Sequence, residues 1–374
     1  MKYYFSLLLV FSLCRLEAQE MYFYVGSATD EVPDPISLCS IDLSNGQLKK
    51  VQSFEGTKSS SYLCLSPKGD FLYSVDSESP SPGSKDHSVA SFKIDKKNKA
   101  LSLINKTSVE GRGACHVSVT SDNKFVMVAN YGSGNVVVVP VGAEGRLAAA
   151  SSNIQHAGTG PDESRQQGPH AHYIQASADD KYVFAVDLGI DKVMNYVLND
   201  DGKLSENPNQ AFLKLDPGVG PRHMVFHPNG KFVYVLNELT SSISACTYDK
   251  ASGKLVLMGT HPMLPEDFTE FSKAAAIRVH PSGKFLYGSN RGHDSIAVFE
   301  IQKDGNLNRV QIIQDGIEWP RDYNITPDGR YMVLANRHKN EIRTFTIAKD
   351  GKLATTESAI EIAQPTSVVF LGKK

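Results

Sequence analysis

GPRHMVFHPNGKFVYVLNEL, residues 220–239, carries two short runs of strand-forming residues, Met224–His227 and Phe232–Leu236, on either side of Pro228-Asn229-Gly230-Lys231. Asn-Gly between apolar runs is the strongest short-range hairpin signal. With Asn229 and Gly230 as the turn, Pro228 faces Lys231, the numbers of paired residues sum to 459, and Arg222 falls opposite Asn237, one residue before Glu238. One end of this hairpin is therefore expected to gather Arg222, His223 and Glu238.

The same pattern returns as SPKGDFLYSVDS from Ser66, TSDNKFVMVANY from Thr120, SADDKYVFAVDL from Ser177, HPSGKFLYGSNR from His280 and TPDGRYMVLANR from Thr326. The residues that follow each turn, Asp70, Lys124, Lys181, Lys231, Lys284 and Arg330, are separated by 54, 57, 50, 53 and 46 positions. A period near 50 predicts four-stranded propeller blades. Met21–Ser27 resembles a second strand without a first, and Gln364–Phe370 a first strand without a second. Together they make a seventh blade that closes the ring and removes its free edges. The prediction is an all-β, seven-bladed propeller occupying residues 19–374 as one domain, with no convincing helix and no nucleotide-cradling Gly loop.

Lys2, the apolar run Tyr3–Leu13 and the small Ala18 read as an export signal over residues 1–18, although Leu16 is large for its position before the cut. The chain is accordingly expected to be periplasmic or secreted. Cys14 ends the apolar run and offers lipoprotein anchoring as an alternative, against which Leu13 is bulky; without the signal the protein is cytoplasmic. No later stretch is long and apolar enough to span a membrane, and a net charge of -2 with no basic stripe argues against a nucleic-acid partner. Cys39, Cys64, Cys115 and Cys246 show no metal-type spacing and are read as free core thiols.

In a propeller, the start of each blade's first strand and the end of its second share one mouth of the central channel. His116, His170, His172, Arg222, His223 and Arg321 reach that mouth before a hairpin, and Asn237, Glu238, Asn290, Arg291 and Arg337 after one. Asp or Asn at the repeated strand end, Asn237 and Asn290 included, ordinarily caps a turn. Arg222, Glu238, Arg291 and Arg321 instead break the repeat toward charge and are read as the lining of a binding site, with a structural ring of ion pairs as the alternative. A metal site on His170 and His172 is not expected, because no Asp or Glu accompanies them; nor is any other cofactor. Long polar connections at 77–87, 156–169 and 261–273 are the loops most suited to function.

GPRHMVFHPNGKFVYVLNELTSSI, MLPEDF with AAIRVHPSGKFLYGSNRGHDSIAVF, GPHAHYI, WPRDYNITPDGRYM and GACHVSV resemble the lactonase family with a seven-bladed propeller, which includes cycloisomerase-like bacterial 6-phosphogluconolactonases. A related branch contains eukaryotic muconate-lactonising enzymes. The resemblance implies His172 (or its neighbour His170), Arg222, Glu238 and Arg291 as catalytic residues. It implies hydrolysis of a sugar lactone, 6-phosphogluconolactone or an unphosphorylated aldonolactone; metal-independent attack of water is the route the residues suit, and a monomer is expected. Ala276 departs from the family, where an acidic residue often stands, leaving Glu238 as the main carboxylate. Glu238 or His172 is then the base, and Arg222 or Arg291 stabilises the oxyanion. Arg321, Arg337 and His223 are available to a phosphate. No Ser or Cys shows an evident partner base. A muconate-type cycloisomerase and a non-catalytic propeller that binds a partner or glycan are the alternatives.

Overall fold

The computed structural model describes residues 20–81 and 83–372; the segment read as an export signal lies outside the described residues. Seven antiparallel sheets form the blades of a propeller. Blade 4 shows the plan: Pro221–Phe226, Phe232–Asn237, Ser242–Asp249 and Lys254–Pro262, in sequence order from the channel outward. In the closing blade the C-terminal Pro365–Phe370 pairs with Glu20–Ser27, so the ring is sealed by ladder hydrogen bonds as expected. Blade 3 departs from the plan. Its outer strand is split into Leu204–Glu206 and Phe212–Lys214 around Asn207-Pro208-Asn209, where Pro has no amide for a ladder.

Alternation along each strand sends apolar side chains to both faces of a blade, where they pack against the neighbouring blades. Seven separate clusters of buried residues result. One joins Phe184 and Val186 to Met224 and Val235 between blades 3 and 4, and another joins Phe23 and Cys39 to Val333 and Ile342 across the closure. Tyrosines staple the blades: the hydroxyls of Tyr234 and Tyr287 donate to Gly305 O and Gly351 O in turns of the next blade. His227 and His280 do the same through Nε2, on Gly283 O and Gly329 O. All four described cysteines are free; Cys39 and Cys246 are buried.

Two details of the 220–239 hairpin differ from the sequence reading. Gly230 N donates to His227 O, so Pro228 and Asn229, not Asn229 and Gly230, are the central turn residues, with Gly230 at φ 68°. Pro228 presets the negative φ of a type I turn, and glycine absorbs the left-handed step that follows. His227 N donates to Phe232 O, which keeps the sum of 459. That register fails at the channel mouth: His223 faces Leu236, but Pro221, not Arg222, faces Asn237. Arg222 is an extra residue, a β-bulge that aims its side chain out of the ladder. The slip recurs at Cys115, His172, Arg321 and Thr366, and across Ala275-Ala276.

Candidate active site

The bulges place Arg222, His172, Cys115 and Arg321 around one mouth of the channel, and the ends of second strands add Glu238 and Arg291. Glu238 is buried with both oxygens engaged. Its Oε2 lies 3.0 Å from Arg222 Nε and 3.0 Å from Arg291 Nη2, while Oε1 accepts a 2.8 Å hydrogen bond from Arg165 Nη2. Arg165 belongs to the 156–169 loop and was not singled out in the sequence; the polar length of that loop was its only signal. Arg165 also reaches the Tyr131 hydroxyl at 3.1 Å.

Burial alone would raise the Glu238 carboxyl, but the charges of Arg291 and Arg222 overcome it and hold the group well below the usual carboxylate range. Arg222 is pushed far down by burial and then by Arg321 and Arg291. Burial likewise takes Arg291 down to about 10, against the pull of Glu238. Four guanidiniums, those of Arg165, Arg222, Arg291 and Arg321, thus surround a single carboxylate, with Arg337 beyond Arg291. Several of their donors are uncommitted. Among the described residues Arg291 Nε and Arg337 Nε are buried without a hydrogen-bond acceptor and the Arg321 guanidinium has no ion pair or hydrogen bond, whereas Arg222 Nε faces Glu238. Buried donors in this condition call for a ligand or water rich in acceptors.

His172 stands edge-on to Tyr131 and His223, at 5.3 and 5.4 Å between ring centres. Burial, then Arg222, pushes its pKa well below the usual imidazole value, so the ring is neutral. Cys115 Sγ lies 3.7 Å from its Nδ1, and no described residue hydrogen-bonds its Nε2. The thiol partner was not foreseen; burial pushes it up to about 12, which keeps it protonated and a poor nucleophile.

His170 is brought near but faces differently. Its ring stacks on Tyr131 at 4.4 Å, and its amide donates to Asp187 Oδ1. Asp187 Oδ2 also takes His156 Nδ1 at 2.6 Å, pinning both ends of the 156–169 loop. His116 and His223 sit deeper, packed with Tyr62 and Tyr173 across the channel, and both are held neutral by burial. His223 Nε2 accepts from Arg222 Nη1 at 3.1 Å. The Arg278–Asp322 pair, 2.9 Å, lies beside this plug. Arg337 donates to Gln364 at the rim. Asn237 and Asn290 turn into their own blades and donate through Nδ2 to the Ser242 and Ser295 hydroxyls, while their Oδ1 atoms are buried without a partner, so neither caps a backbone amide as expected. Among the described residues no group of three or more His, Cys, Asp or Glu is arranged to hold a metal ion.

The profile described as "Lactonase, 7-bladed beta-propeller" matches residues 22–370. The chain belongs to this lactonase family. It is 38% identical over 301 residues to the 6-phosphogluconolactonase of Bacillus subtilis (strain 168), an alignment covering 80% of this chain and 83% of that protein. The structure of the periplasmic gluconolactonase of Pseudomonas aeruginosa superposes with a TM-score of 0.87 at 27% identity, over 94% of this chain and 99% of that one. A protein from Lactobacillus plantarum gives a TM-score of 0.87 at 31% identity, covering 94% and 100%. This lactonase-family propeller thus shares its whole ring with both, and its cationic channel mouth is the place to look for the reaction.

Proposed function

We propose that this chain hydrolyses a six-membered sugar lactone by direct attack of water at the Glu238 mouth, without a metal. The observation that carries the reading is the set of uncommitted guanidinium donors beside a neutral His172. As water adds to the ester carbonyl, a proton must leave the water while negative charge grows on the carbonyl oxygen. His172 is the base: it is unprotonated and its Nε2 is open, whereas both oxygens of Glu238 already face guanidiniums that suppress its basicity. Arg222 and Arg321 supply the charge that meets the oxyanion. Glu238 holds Arg222, Arg291 and Arg165 in place. Excess positive charge around the imidazoles opposes a bound cation, which supports the metal-free route.

The relatives carry two substrate expectations: a phosphorylated lactone by the name of the Bacillus protein, an unphosphorylated one by that of the Pseudomonas protein. An exported chain favours the second, with Arg321 and Arg337 binding ring hydroxyls where the first would place a phosphate. Turnover of 6-phosphogluconolactone and of glucono-1,5-lactone, with and without chelator, tests the reading. Acceleration that survives chelation and is lost in His172→Gln supports it. No acceleration of either lactone, or turnover unchanged in the variant, removes it.

A further inference from the structure

The 156–169 and 261–273 loops meet at the mouth and enclose a cleft of 410 Å³, whose lining includes Ser164, Arg165, Leu239, Glu270, Phe271 and Lys273. It adjoins the inner site: Arg165 lines the cleft and bonds Glu238, and Leu239 is the next residue along the chain. Phe271 is 58% exposed, yet it is not loose. Its carbonyl packs so closely on Gly292 that an added Cβ there would lie 2.5 Å away, and Ser272 beside it bonds Ser241 at 3.0 Å. An aromatic ring left in water on a backbone tied down in this way, at the rim of the mouth, contributes nothing to the core.

The chemistry of the cleft differs from that of the inner pocket. Arg165 and Lys273 are balanced by Asp162 and Glu270, so the cleft has no net demand for an anion. Glu270 and Lys273 have no ion pair or side-chain hydrogen bond among the described residues, although Lys273 Nζ sits 5.0 Å from the Phe271 ring centre. An exposed aromatic ring with the Lys273 ammonium over one face and the Glu270 carboxylate in the same cleft as a free acceptor suits a neutral, hydroxyl-bearing ring.

We propose that this cleft is an outer subsite for a second sugar, so that the preferred substrate is an aldonolactone carrying a glycosyl unit. The lactone ring lies inside at His172 and Arg222, and the glycosyl ring lies on Phe271 with its hydroxyls toward Glu270 and Lys273. The assignment rests on the lactonase reading above and extends it outward.

The test compares kcat/KM for glucono-1,5-lactone with that for glucosyl-gluconolactones linked at O4 or O6, in wild type and Phe271→Ala. Alongside it, saturation-transfer NMR reads binding of the corresponding neutral disaccharides without turnover. The expected result is a wild-type preference for one disaccharide lactone that falls about tenfold, mainly through KM, on loss of the ring, while the simple lactone changes less than about twofold. Disaccharide signals should vanish in the variant. Equal effects on both lactones, or no wild-type preference, overturn the subsite and leave the lactonase reading standing. Disaccharide binding that needs Phe271, with no lactone hydrolysed, keeps the sugar site and overturns the reaction. Neither binding nor turnover overturns both.

Discussion

Replacing Glu238 by Gln removes one charge from the centre of the site with little change of shape, and the structure sets what that should cost. Arg222 and Arg291 are buried, and among the described residues Glu238 is the only carboxylate paired with either. Stripping the partner from buried charges is destabilising by ~3–5 kcal/mol, because the remaining charge is left uncompensated in a poorly solvated place. For a chain of this length the unfolding entropy is ~0.7 kcal/mol/K, so Tm should drop by about 4–7 °C. Differential scanning calorimetry reads that shift, and near-ultraviolet circular dichroism should show the propeller still packed. Inorganic phosphate should recover more of the Tm in the variant than it adds to wild type, since it offers the guanidiniums a replacement anion. Lactone turnover should drop by roughly 10²–10³, the scale for displacing an oxyanion donor. A variant as stable and as active as wild type, with no enhanced response to phosphate, would refute the claim that this carboxylate organises the pocket.

The same carboxylate gives a pH signature: with its folded pKa depressed, its stabilisation is full above the unfolded value of ~4.3 and is lost as pH falls through the folded one. Acid titration of wild type and Glu238→Gln should therefore converge in stability at low pH, measured by Tm. His172→Gln should reduce kcat by ~10²–10⁴ with Tm nearly unchanged. Because burial and Arg222 push the His172 pKa below its usual value, the acid limb of kcat/KM should lie below pH 6.5, and Arg222→Met should move it upward; a limb that stays fixed in Arg222→Met would detach His172 from the profile. Deleting residues 365–374 removes the strand that seals the ring, and should replace the single cooperative transition by a broad one at lower temperature, with the flanking blades, residues 63–108 and 320–361, cut first in limited proteolysis.

The ring was legible because its signals are local. Each hairpin advertises itself within a dozen residues, and a spacing near 50 admits few architectures. The split closing blade could be read from two half-copies at the ends, Met21–Ser27 and Gln364–Phe370. Glu238, Arg222 and Arg291 were legible as departures from a repeat. Arg165 was not, because it joins Glu238 across 73 positions through an irregular loop, and nothing in the polar, non-repeating stretch HAGTGPDESRQQGP fixes where such a loop folds back. Nor was the bulge, since counting alternate residues assumes an unbroken ladder.

That missed bulge explains why the chemistry sits where it does. Two residues beyond it, at Val117, Ile174, Met224, Tyr323 and Val368, five of the seven blades place a buried hydrophobic residue, held to that character by the neighbouring blade. The bulged residue itself has no ladder partner opposite it and no fixed slot in a core, so it is free to be Cys115 in one blade, His172 in another, Arg222 and Arg321 in two more. A fold whose repeat is rigid everywhere else can vary its reaction at these positions without disturbing its packing. Arg222→Met should accordingly weaken catalysis far more than it weakens the blade, whereas Met224→Ala, two residues on, should cost about 2–5 kcal/mol of stability by opening a cavity between blades 3 and 4. Calorimetry and turnover on the two variants side by side would separate the roles; a Met224→Ala protein with wild-type stability would show that the bulge does not divide site from core.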